Sequence, residues 1–166
     1  MADSLPTCEF DDKDLVLKFQ KKLEGRKEAI PPFVDEIMKI VGAAGCAAGR
    51  EREVEVAVIE ALANAVVHGC KNDPAKTVEC CVACGPSHGV VIVIRDPGTG
   101  FNPAAIPSPV KGQNLFSTHG RGVFLINQLV DEVRYEKGGT EIRLTIKPGG
   151  APRMEQGDSG EDTETN

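Results

Sequence analysis

The chain has no tryptophan and a single tyrosine, which leaves few flat rings on which single-stranded bases could stack. It lacks a basic surplus too: 19 lysines and arginines face 25 acids, for a formal charge of −6. Duplex nucleic acid is bound through a basic face, so this balance argues against direct nucleic-acid binding. Its uninterrupted apolar runs are too short to span a bilayer. The opening MADSLPTCEFDDKD carries neither the basic nor the apolar stretch of an export signal. The expectation is a soluble cytoplasmic protein with no membrane association. Six cysteines in such a chain read as thiols rather than disulfides. Cys80, Cys81 and Cys84, in TVECCVAC, have no second pair at zinc-finger spacing and are expected to pack as buried thiols.

What is present fits one domain, since 166 residues can bury a substantial core. Residues 1–11 are polar and read as a flexible N-terminus, residues 12–147 as the domain, and residues 148–166 as a disordered acidic tail. LVLKFQKKL, at 15–23, alternates like an edge strand. A helix is expected over 26–41, with Pro31 and Pro32 in its first turn and Gly42 just past its end. A second runs from about Arg50 to His68, with Gly69 as its cap. Strands follow at 77–84 and 90–95, joined by GPSHG. The glycine- and proline-rich stretch 96–119 reads as a long loop, a kind usually functional. A helix then opens on GRG, and two strands, 133–136 and 140–146, flank EKGGT. This order predicts an α+β fold, a two-layer sandwich with helices on one face of a mainly antiparallel sheet.

Residues 58–69, VIEALANAVVHG, pose a question: eight of the twelve are Ala, Val, Ile or Leu, yet Glu60, Asn64 and His68 recur at four-residue steps. Such steps share one helix face. A solvated face is the ordinary explanation, but Val58, Ile59, Leu62, Val66 and Val67 leave little room for one. Two other segments draw notice: DPGTGF at 96–101, directly after the strand VVIVIR, and Gly120-Arg121-Gly122 at a helix start. The second lacks the lysine of a phosphate loop and the parallel βαβ unit of a dinucleotide fingerprint.

Taken in order, NAVVHG, DPGTGF and GRGVFLI resemble the asparagine box and the two glycine boxes of the GHKL (histidine-kinase-like) ATPases. Within that superfamily the chain is most similar to the small anti-sigma-factor serine/threonine kinases of partner switching. The resemblance implies the Bergerat ATP-binding fold, ATP and Mg²⁺. It implies that Asn64 gives its amide oxygen to the metal and that Asp96 accepts a hydrogen bond from the adenine amine. Gly98 would let the backbone approach the base, and Gly100 and Phe101 would start the lid. Gly120 and Gly122 would offer amides to the phosphates at a helix N-terminus, and Thr140 would assist adenine recognition through water. Arg121 either adds charge near the phosphates or points outward. Glu60 would be the general base that accepts the proton of the attacking hydroxyl or water. For His68 a hydrogen bond at the helix end outweighs a contact to lid or phosphates; His119 is either a lid residue or solvent-facing.

The resemblance further implies a homodimer that phosphorylates a STAS-domain anti-anti-sigma protein and, in its other state, holds a sigma factor. Residues 15–37 would carry dimer and partner surfaces. The alternative is a non-catalytic ATP-binding interaction module, or a regulator of a non-sigma target. Four prolines in and beside the lid, Pro97, Pro103, Pro107 and Pro109, would stiffen it and slow turnover.

Overall fold

A computed structural model of the chain describes residues 10, 14–86, 88–100 and 118–149, with backbone alone for 118–121. The expected flexible N-terminus, most of the loop and lid, and nearly all of the acidic tail lie outside the described residues. The elements are β1 (Val16–Glu24), α1 (Ile30–Ala44), α2 (Glu51–Asn64), β2 (Thr77–Gly85), β3 (Gly89–Arg95), α3 (Thr118–Leu129), β4 (Glu132–Glu136) and β5 (Glu141–Ile146). Among the described residues no helix is long and apolar enough to cross a membrane.

The five strands form one sheet in the order β1-β2-β3-β5-β4, and every pairing is antiparallel. Alternation sorts the side chains. Val78, Cys80, Val82, Ile92, Ile94, Leu144 and Ile146 join the core with Ile37, Val41, Val54, Val58, Leu62 and Ile126 from the three helices. The helices therefore share one face of the sheet, and the fold is α+β. Cys81, Ala83, Val91 and Val93, on the opposite face, are buried as well. There Phe10 lies with its ring 5.5 Å from the Arg143 guanidinium carbon.

Two local readings change, and the expected turn between β4 and β5 gains its reason. Gly42 sits inside α1, which runs on to Ala44 and ends at Gly45, where φ is +66°; a left-handed cap suits a residue without Cβ. The turn before β5 needs three consecutive positive φ values, at Lys137, Gly138 and Gly139, which explains the paired glycines. Cysteine chemistry is the larger correction. Cys70 and Cys80 are buried thiols, but Cys84 is bonded to Cys46, with Cα atoms 5.9 Å apart, and Cys81 is also in a disulfide. Composition could not foresee this, because the Cys46–Cys84 pair depends on the turn after α1 meeting the end of β2.

Candidate functional site

The cleft lies between α2 and the sheet's β3–β5–β4 end, and Gly122 of α3 packs beside Asn64 on its lining. Helix α2 opens with Glu51 and Glu53, where acids complement the free amides of the first turn. Val54, Ala57, Val58, Ala61 and Leu62 face the core, leaving Glu60 and Asn64 half-buried on the flank. Beyond Asn64 the helix widens into a π-turn, Ala65–Gly69, in which the Cys70 N–H donates to the Ala65 carbonyl at 2.9 Å. The extra residue in that turn breaks the four-residue phase and is a device often found at functional sites. It leaves His68 exposed at the cleft mouth and drives Gly69 onto the Asp96 carboxyl.

Asp96 follows the last residue of β3. Its N–H donates to the Thr140 carbonyl at 2.9 Å, and its Oδ1 accepts the Gly98 N–H at 2.8 Å. The carboxyl is thereby held at the cleft floor with one oxygen still able to accept. Burial pushes its pKa above the ordinary carboxylate value, and the Gly98 bond opposes that rise only in part. Three glycines make this packing possible. A Cβ at Gly69 would collide with the Asp96 carboxyl, one at Gly98 would stand 2.8 Å from Asp96 Oδ1, and one at Gly100 would collide with the Gly138 carbonyl. Thr140 spends its hydroxyl proton on the Lys137 carbonyl at 2.9 Å, so its lone pairs alone face the cleft. Ile94, Ile142 and Tyr135 line the same end. Burial pushes the Tyr135 phenol up to about 12, so it remains protonated. A mainly apolar cleft ending in a carboxylate suits a purine bearing an exocyclic amine.

At the other end Gly122 meets α2. A Cβ there would lie 3.0 Å from Glu60 Oε2, 3.2 Å from Asn64 Nδ2 and 3.4 Å from Asn64 Oδ1. A carboxylate, an amide and bare backbone therefore converge. Helix α3 begins at Thr118, so the Gly120 N–H falls among the first-turn amides that have no intrahelical partner. Gly122 lies one step beyond them, and its contribution is the missing side chain rather than a free N–H. The side chains of His119 and Arg121, and the whole of Phe101, lie outside the described residues. Among the described residues no group of three His, Cys, Asp or Glu could cage a metal. A hard cation that keeps several waters and is held by phosphates needs only one or two protein oxygens. Asn64 Oδ1 beside the Glu60 carboxylate fits that demand.

The structure thus brings Glu60, Asn64 and Gly122 together at one end of a cleft and Asp96, Gly98, Gly100 and Thr140 at the other. Sequence reasoning missed Gly69 and Tyr135. The spacing reads Gly69 as a helix cap, and Tyr135 carries no signal beyond being the chain's one tyrosine. Residues 23–146 match the family model of the histidine kinase-like ATPase domain. No curated protein matches the chain.

Proposed function

Because the chain belongs to the histidine kinase-like ATPase family, and so carries an ATP-binding module, we propose that it is a protein serine/threonine kinase using Mg-ATP. The phosphoryl acceptor in this reading is a Ser or Thr on a STAS-domain anti-anti-sigma protein. A sigma factor is the partner held in the other nucleotide state, and the kinase works as a homodimer. The observation that carries the kinase reading is the half-buried Glu60 carboxylate beside Asn64 and the bare backbone of Gly122. A site built only to hold nucleotide has no need of a second acid one helical turn before the asparagine.

The roles follow from position. Asp96 fixes the base by accepting from its amine, and the glycine-lined floor keeps that carboxyl from turning away. The first-turn amides of α3 offer positive partial charge to the phosphates. Asn64 Oδ1 would hold magnesium, whose charge offsets that of the phosphate oxygens when bound. Glu60 accepts the proton of the incoming hydroxyl as its oxygen bonds to phosphorus and the bond to the leaving ADP oxygen breaks. Phosphoryl transfer requires chiefly positioning and charge neutralisation, so one base suffices.

The test is to incubate the protein with Mg-ATP and a STAS-domain protein encoded nearby, then assay phosphoserine and phosphothreonine. Transfer that vanishes in Glu60→Gln while nucleotide binding persists supports the kinase. Tight nucleotide binding with no transfer to any such protein favours the interaction module instead.

A further inference from the structure

Arg50 lies outside the cleft, yet it holds the two helices that form the cleft's phosphate end. It is the residue before α2 and is 3% exposed. Its Nη2 donates to the carbonyl of Leu129, the last residue of α3, at 3.0 Å. Its Nη1 donates to Asp131 Oδ2 at 2.5 Å and to the Lys147 carbonyl at 3.1 Å. Asp131 Oδ2 also accepts the Lys147 N–H at 2.6 Å, and the Asp131 N–H donates to the Thr145 carbonyl at 3.0 Å. One guanidinium therefore ties the start of α2, the end of α3, the entry to β4 and the exit of β5. A cation at a helix C-terminus also complements its carbonyls.

The two helices meet again at their other ends, where Gly122 rests on Glu60 and Asn64. Leu129 comes seven residues after Gly122, about 10 Å along the helix. Nothing larger than a hydrogen stands at Gly122 to set the spacing there, so the near end lies where the buried Val123 and Ile126 and the fixed end at Arg50 hold it. A lysine is a point charge and cannot span three acceptors in a plane, whereas the arginine fork can. An apolar residue would fill the space but would take the guanidinium from the Asp131 carboxylate, leaving it the Lys147 N–H, and from the α3 carbonyl, a loss that is costly for a buried pair.

Resting on the nucleotide-site reading, we infer that Arg50 is a positioning residue: its fork sets the stand of α3 against α2, and with it the phosphate end of the cleft. The base end, built from Asp96 and Gly98 just after β3 and Thr140 in the turn before β5, does not depend on α3. Loss of Arg50 should thus separate the two ends. A displacement of 1 Å in a reacting geometry can cost about 10²-fold.

The experiment measures dissociation constants of the full chain for adenosine and for the β,γ-imido analogue of ATP with magnesium, in wild type, Arg50→Met, Arg50→Lys and Asp131→Asn, with melting curves to establish folding. The inference predicts adenosine affinity within about twofold of wild type and triphosphate affinity lowered about tenfold or more in Arg50→Met, with partial rescue by Arg50→Lys. Equal losses for both ligands, or none in a folded variant, overturn it. Should Arg50→Met not fold, the adenosine-to-triphosphate ratio in Arg50→Lys and Asp131→Asn decides the matter in the same way. A wild type that binds neither ligand overturns the nucleotide-site reading itself, and a wild type that binds both with an unchanged ratio in the variants overturns this inference alone.

Discussion

Asp96 is where the physical demands on single residues are sharpest. It must be ionised to accept from an amine, yet burial raises its pKa. Nucleotide affinity is therefore expected to fall as the solution is acidified, beginning above the ordinary carboxylate value of 3.8. Titrating the dissociation constant against pH checks this; Asp96→Asn should bind weakly and lose that dependence. Gly69→Ala places a methyl against the Asp96 carboxyl. Overpacking of that kind costs about 1–3 kcal/mol, and a loss of adenine-nucleotide affinity by calorimetry is its expected readout. Glu60→Gln should lower phosphoryl transfer by about 10²–10⁴-fold with nucleotide affinity kept. At this scale the sequence was informative wherever a residue type was out of place. An acid and an amide on an apolar helix, and an aspartate before paired glycines, are such anomalies. Gly69 was opaque because its glycine is required by Asp96, a neighbour in space that no local pattern reveals.

Between residues and fold, α2 carries the most. Its inward face is Val54, Ala57, Val58, Ala61 and Leu62, and Leu62 is fully buried. Leu62→Ala should cost about 2–5 kcal/mol of stability, read by denaturant or thermal unfolding, and weaken nucleotide binding through the displaced Glu60 flank. The helix was legible from its spacing, but its π-turn was not: a 3.6-residue rhythm runs through Ala65–Gly69 without announcing the extra residue. The strands were legible to within a residue or two because β-branched runs and glycine turns bound them. At the start of β5, Glu141 is buried against Arg95, with Lys137 Nζ at 3.3 Å. Burial alone would raise its pKa, but the hydrogen bonds and charges of Arg95 and Lys137 outweigh it and hold the carboxyl low. A depressed folded-state value means this pair stabilises above the ordinary value of 4.5 and loses that contribution as pH falls through the lower folded one. The stability gap between wild type and Glu141→Gln should accordingly narrow below pH 4.5.

Across the whole molecule, the antiparallel order β1-β2-β3-β5-β4 places β3 beside β5. That pairing brings Asp96 to Thr140, although 43 positions separate them in the chain, and the helices complete the cleft from one side. No composition or periodicity specifies such an adjacency; the two-layer class was readable, the strand order was not. Nor was the Cys46–Cys84 bond, which joins the turn after α1 to the end of β2. If the cleft is a nucleotide site, ligand at about 100 times its dissociation constant adds about 2.7 kcal/mol to the stability of the folded chain. The most direct trial is a crystal structure of the chain with magnesium and a non-hydrolysable ATP analogue. The account predicts the adenine amine on the Asp96 carboxylate, Asn64 Oδ1 on the metal and the phosphates over the first turn of α3. An analogue seated elsewhere, or Asn64 turned away from the metal toward solvent, would contradict it.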